Sequence, residues 1–253
     1  QTDLQASNIL CLTYTDAGCT AMRNRLITFM GTDAYKVGIY TYHAFCNLII
    51  RENPELFNAY RELSNASDLE IMEVLTELID GLPLEHPLAR NAGDNYYDRP
   101  RFKTLFSVMK REGWSHDHIA DKIEQYKEEL YQDVDYIYKR GEKKGAPMED
   151  KIQKELSKYD FVKEGSKLLG QYNELLAKRD RLDFDDSIIW VLKKLKERPD
   201  VLAQYQERFQ FILADEYQDT NGSQNELLFT LAKNEFDPQP NLFVVGDDDQ
   251  SIY

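Results

Sequence analysis

Two apolar runs near the end of the chain drive straight into acids: FILADEYQDTN (211–221) and NLFVVGDDDQ (241–250). Strands that are apolar throughout belong in parallel sheets covered by helices on both faces, so these runs predict an α/β fold. A carboxylate at the end of a buried strand is costly unless something positive meets it. In open parallel sheets ligands bind beyond the carboxyl ends of the strands. The first residues repeat the theme. NILCLTYT (8–15) reads as a strand, and DAGCTAMRNRLITFM as a helix with Asp16 as N-cap and Met22, Leu26 and Phe29 near one face. KVGIYTYHAFCNLIIREN (36–53) gives a strand through Val37–Thr41, then a helix whose apolar side carries Phe45, Leu48 and Ile49.

Residues 61–180 change character. Strand-like runs give way to charged helical patterns such as DLEIMEVLTELI and DHIADKIEQYKEELYQDVDYIYKR, with breaks at GLPLEHP, NAGDNYYDRP and GEKKGAP. The lysines and tyrosines around 122–144 read as a solvated helix face with a few core tyrosines, a nucleic-acid surface being the alternative. From 181 the α/β pattern returns, with LDFDDSIIWVLKKLKERPD as a helix capped by Asp183. The predicted organisation is therefore one sheet built from 1–60 and 181–253, interrupted by a mostly helical insert at 61–180.

Composition narrows the function classes. The formal net charge is −14, which argues against a general nucleic-acid binder, since phosphate affinity comes largely from Lys and Arg. No apolar run approaches the ~18 residues of a membrane span, and no basic-then-apolar leader is present. The three cysteines, Cys11, Cys19 and Cys46, lack metal-ligand spacing and read as reduced thiols of a cytoplasmic protein.

Asp215 and Glu216 end one predicted strand, and Asp247, Asp248 and Asp249 end the next. Carboxylates at adjacent strand ends suit a hard divalent cation such as Mg2+, which takes one or two of them and completes its shell with water and phosphate oxygens. A strand-terminal Asp followed by Glu fits nucleotide hydrolysis, one acid positioning the metal and the other polarising water. Asp-Glu after a strand is a weak signal alone. DEYQDT together with a second strand ending GDDDQSIY is far more specific.

LDFDD (182–186), FILADEYQDTN (211–221) and VVGDDDQSIY (244–253), with ILCLTYTDAGCTAMRNRL (9–26) and TYHAFC (41–46), resemble the ordered motifs of the UvrD/Rep/PcrA group of superfamily 1 DNA helicases. The resemblance implies a RecA-like, P-loop NTPase sheet with a helical insert, ATP and Mg2+ as cofactors, and single-stranded DNA and single/double-strand junctions as partners. It implies 3′–5′ movement along DNA. It makes Asp215 the Mg2+ residue, Glu216 the general base, and Gln250 the γ-phosphate sensor; these three form the nucleotide site. Tyr14, His43 and Tyr253 become DNA-side residues. Asp183, Asp185 and Asp186 match the family pattern but read as capping and packing residues rather than catalytic ones.

Departures from the pattern matter too. No Gly-Lys-Ser/Thr of a Walker A loop occurs in the 253 residues, and EGSKLLG (164–170) has the wrong order. The resemblance thus places Gln1 just past that loop and leaves the second RecA-like domain outside this chain, so the chain alone reads as an incomplete, inactive piece. Asp16 and Ala17 replace the family's Asn-Lys. Two rival readings remain. One is a metal-dependent nuclease, disfavoured because RPD (198–200) has no Asp/Glu-x-Lys nearby. The other is a DNA- or partner-binding scaffold whose ATPase has decayed.

Overall fold

The computed structural model describes residues 5–60, 63–89, 94–233, 241–247 and 249. In chain order, β1 (Ile9–Thr13) leads into α1 (Asp16–Met30), and β2 (Gly38–Thr41) into α2 (Tyr42–Glu52). Then come β3 (Ser64–Asn65), α3 (Asp68–Asp80), α4 (Arg99–Glu112), α5 (His116–Gln132), α6 (Glu149–Leu156), α7 (Asp160–Ser166), α8 (Leu169–Ala177) and β4 (Arg181–Leu182). The last stretch holds α9 (Asp186–Glu197), α10 (Pro199–Arg208), β5 (Phe211–Ala214), α11 (Gly222–Ala232) and β6 (Leu242–Val244). The chain divides into two units, one of Gln1–Glu62 with Phe184–Tyr253, the other of Leu63–Asp183.

The first unit is a parallel α/β layer structure. Its sheet runs β2-β1-β5-β6, every pair parallel. Period-2 alternation sorts β1 between two cores. Leu10 and Leu12 face a large cluster with Phe45 and Ile49 of α2, Val191 and Leu195 of α9, and Leu227 and Leu228 of α11. Cys11 faces the other side, with Val37, Ile39 and, from α1, Cys19, Met22 and Leu26.

Three local expectations fail, each for a physical reason. Thr15, not Asp16, caps α1, its hydroxyl accepting from the Gly18 amide at 3.0 Å; Asp16 sits in the first turn, where the helix dipole favours an acid. Phe29 is 81% exposed because the helix face that packs on the sheet ends with Leu26. β6 is not covered on both faces: as an edge strand it leaves Phe243 62% exposed.

The second unit is helical around its own core, with Val74 and Leu75 of α3, Phe102, Phe106 and Met109 of α4, and Tyr172 and Leu176 of α8. β3 and β4 pair in parallel, Ser64 with Arg181 and Asn65 with Leu182, tying together the two ends of the unit. Ser67 and Glu70 form a reciprocal capping box at the start of α3. The long helical pattern read from residue 117 to 140 breaks at Asp133. Beyond it Val134–Tyr136 form a 3-10 turn, after which Ile137 is extended and makes an antiparallel bridge with Pro147. The β-favouring Tyr-Ile-Tyr triplet overrides the charge pattern there.

Asp183 does not cap α9, which begins at Asp186. It accepts instead from Lys110 Nζ at 3.4 Å and from the Tyr172 hydroxyl at 3.3 Å. The Lys110 ammonium is almost wholly buried, and burying it demands such a carboxylate.

Candidate functional site

Because all four strands of the first unit run the same way, their carboxyl ends share one edge of the sheet. Tyr14 follows β1, Tyr42 and His43 follow β2, Asp215 and Glu216 follow β5, and Asp247 lies just past β6. Helices α1 and α2 start at this edge. Thr15 and Thr41 cap them, Thr41 Oγ1 accepting from the Ala44 amide at 3.2 Å. Such strand-to-helix turns point backbone N–H groups into the edge.

The acids are locked by backbone before any side chain acts. The Asp215 amide donates to the Leu12 carbonyl at 2.9 Å, and the Val245 amide to the Ala214 carbonyl at 2.8 Å, so strand pairing continues up to the carboxylate. Glu216 then breaks the strand in a left-handed conformation, φ 53° and ψ 43°. A non-glycine residue held there is strained by about 1–3 kcal/mol, and such positions gather at functional sites. Asp215 is half-buried and Glu216 exposed. Neither forms an ion pair among the described residues.

Gln218 links this corner to β6. Its Nε2 donates to the Glu216 carboxylate at 2.7 Å, while its Oε1 accepts from the Asp247 amide at 3.0 Å. The Asp247 carboxylate in turn accepts from the Asp249 amide at 3.1 Å. Gly246 makes the contact possible: a Cβ there would stand 2.7 Å from Gln218 Oε1 and 3.1 Å from the Gln218 backbone nitrogen.

The aromatic side of the edge is different chemistry. Tyr14 is 51% exposed. The His43 ring lies on Phe184 at 3.8 Å between centroids with 31° between planes, and Phe184 is itself 56% exposed. His43 Nε2 sits 3.5 Å from Asp185 Oδ1, close enough for an ion pair when the imidazole is protonated but without a hydrogen bond. Asp185 caps nothing with its side chain. Burial raises the Cys11 thiol to about 11, with Arg23 working against it, so this neighbour of the site is inert at neutral pH.

The profile of the UvrD/REP helicase N-terminal domain matches residues 1–253. The chain is a member of the UvrD/REP helicase family. It is 32% identical over 246 residues to the ATP-dependent DNA helicase PcrA of Bacillus subtilis, covering 97% of this chain and 27% of that protein. It is 29% identical over 264 residues to the probable DNA helicase II homolog of Mycoplasma pneumoniae, 100% of this chain and 30% of that protein. PcrA of a Staphylococcus epidermidis strain is 27% identical over 251 residues, 99% of this chain and 28% of its own length. The chain thus spans less than a third of the relatives it matches.

For a UvrD/REP member the parallel sheet flanked by helices is the RecA-like architecture that the motifs imply. Asp215 and Glu216 come together at one strand end, with Tyr14 on the neighbouring strand and His43 one strand further. Gln250 and Tyr253 lie outside the described residues, as does Asp248. Among the described residues no three acids, cysteines or histidines gather as a metal cage. Two carboxylate positions suffice for Mg2+ that keeps its waters and phosphate ligands, so the donor set fits. Two contributors escaped sequence reading. Gln218 lies within the DEYQDT string itself, and Phe184 within LDFDD, where the acids drew attention from the aromatic between them. Among the described residues no helix is long and apolar enough to cross a membrane.

Proposed function

We propose that this chain is the nucleotide- and DNA-handling N-terminal region of a cytoplasmic ATP-dependent DNA helicase that moves 3′–5′ along single-stranded DNA and acts at single/double-strand junctions. The first unit, Gln1–Glu62 with Phe184–Tyr253, is taken as the RecA-like domain expected at 1–60 with 181–253, and the second, Leu63–Asp183, as the helical insert expected at 61–180. The observation that carries the reading is the pair of carboxylates, Asp215 and Glu216, placed at the end of β5 on the shared edge of a parallel sheet.

Asp215, fixed by its amide to β1, would hold Mg2+, and the bound ion would neutralise charge on the phosphates of ATP. Glu216 accepts the proton of the attacking water, and Gln218 holds one of its carboxylate oxygens. Gln250 senses the γ-phosphate. Tyr14, Tyr253 and the Phe184–His43 stack face the bases, where each stacked base contributes ~1–3 kcal/mol without sequence preference, as a translocating motor needs.

The test is Glu216→Gln in the full-length protein. Binding of Mg-ATP persists while DNA-stimulated hydrolysis falls by at least ~100-fold, the scale for removing a general base. Near-normal turnover overturns the role. DNA binding in a full-length protein that hydrolyses no ATP even before substitution favours the decayed scaffold instead.

A further inference from the structure

Among the described residues, two buried side-chain atoms make no hydrogen bond, the Tyr42 hydroxyl and His43 Nε2. They stand on the first two residues of α2, at the edge where β2 ends. His43 Nε2 lies 3.5 Å from an oxygen of the Asp185 carboxylate. Tyr42 is the more isolated of the two: 1% exposed, it belongs to the main core with Leu10, Leu12 and Phe45. A hydroxyl buried there unbonded costs free energy that a phenyl ring of the same shape does not. Such a group in a folded protein calls for a cause.

The neighbour that supplies one is Tyr217. Burial raises the Tyr42 phenol well above the ordinary tyrosine range, and the Tyr217 phenol raises it further. Tyr217 packs against the same core cluster. The two phenols are therefore neighbours, yet no bond joins their hydroxyls. Tyr217 follows Glu216 and opens the turn Tyr217–Asp219. Its amide donates to the Val245 carbonyl at 2.9 Å, and its carbonyl accepts from the Thr220 hydroxyl at 2.6 Å. The backbone is thus fastened on both sides, while the ring keeps its side-chain rotamers.

We propose that Tyr42 is a positioning residue for Glu216: as the edge takes nucleotide, the Tyr42 hydroxyl donates to the Tyr217 hydroxyl and braces the turn beside Glu216 from the end of β2. Glu216 is held left-handed at φ 53°, and such a conformation persists only where its surroundings over-determine it. Gln218 supplies one brace, from the β6 side. The phenol pair supplies the other. A ligand shifts a protein between two states only when it binds one of them better. The unbonded hydroxyl weighs against the free state, and the bond relieves it in the state that binds nucleotide. The inference rests on the role of Glu216 proposed above and adds a residue from a different strand end.

The experiment places Tyr42→Phe and Tyr217→Phe, singly and together, in the full-length protein, and Tyr42→Phe also in the 253-residue chain. Steady-state ATP hydrolysis is followed with saturating single-stranded DNA. In either single variant kcat should fall by about 5- to 10-fold while the KM for ATP stays within about twofold, since a misplaced group slows chemistry more than binding. The double variant should lose no more than either single one, because the two halves of one bond act as a unit. The 253-residue Tyr42→Phe chain should melt about 2–4 °C above its parent, since an unbonded hydroxyl leaves the core. A merely structural role would lower melting point and kcat together, so a variant chain that melts below its parent overturns the proposal. Parental kcat in Tyr42→Phe overturns it and leaves the role of Glu216 standing. Additive losses in the double variant overturn the pairing. A full-length parent that hydrolyses no ATP with DNA present overturns the helicase reading, and this inference with it.

Discussion

Gln218 holds the Glu216 carboxylate at 2.7 Å with one end of its amide and the Asp247 backbone at 3.0 Å with the other. One side chain therefore couples the ends of β5 and β6 and sets the rotamer of the proposed base. Gln218→Ala frees Glu216 without removing it. In the full-length protein this should lower DNA-stimulated turnover by about tenfold, less than the loss for Glu216→Gln, since positioning is worth less than the base itself. The KM for ATP should change little. A loss as large as that of Glu216→Gln would mean that Gln218 touches the reacting groups directly.

The same corner leaves no room at residue 246. Gly246→Ala places a methyl 3.1 Å from the Gln218 backbone nitrogen and 3.3 Å from Tyr217 Cβ, and 2.7 Å from the amide oxygen that binds Asp247. The side-chain oxygen can swing away; the backbone cannot. Urea unfolding should show a loss of about 1–3 kcal/mol, the usual scale of overpacking. An unchanged midpoint would mean that the two strand ends separate readily.

Much of this was legible in the residues. The strands were, because Ile9–Thr13 and Phe211–Ala214 are continuous apolar runs bounded by polar turns, and period and length agree. The acids were, because two strand ends carry them in order. What escaped were choices that only tertiary packing makes. Thr15 and Asp16 are both competent caps, and the backbone at Thr15 decides between them. The break after Gln132 is hidden in a charged pattern that would continue equally well as helix. The contact of Phe184 with the His43 ring joins residues 141 positions apart, which only the fold brings together.

That stack gives a third prediction. Phe184→Ala removes an exposed ring from the edge proposed to meet DNA and bares His43. Single-strand affinity should drop by about 5- to 100-fold, the equivalent of one lost stacking contact. Anisotropy with an oligothymidine is the measurement. Equal affinity for wild type and variant would move the strand's path elsewhere.

The second unit carries a titration of its own. Glu70 accepts from the Ser67 amide and hydroxyl, both at 2.8 Å, and from Arg181 Nε at 2.6 Å; the Ser67 backbone bond is the leading cause holding its carboxyl down at about 2. A carboxyl depressed in the folded state stabilises fully above its unfolded value, near 4.3, and loses that contribution as pH falls toward 2. Glu70→Gln should therefore melt below wild type at pH 7, and the two curves should converge as pH drops from about 4.5 to about 2. A gap that stays constant over that window would show that the capping geometry matters and the charge does not.

The last prediction concerns the two carboxylates without a counter-charge. Asp215 and Glu216 form no ion pair among the described residues, and the 253 residues contain no Gly-Lys-Ser/Thr. A triphosphate needs backbone amides and a lysine to receive it, with the metal bridging it to the strand-end acids. Without those groups, bringing ATP to this edge sets phosphate charge against carboxylate charge, and only the metal opposes the repulsion. The 253-residue chain alone should hydrolyse no measurable ATP and bind it no more tightly than roughly millimolar, about −4 kcal/mol. Calorimetric titration with Mg-ATP at modest salt measures this. Micromolar binding would require a phosphate cradle built from other residues, and the N-terminal turns of α1 and α2, which open onto the same edge, would be the first place to look for it.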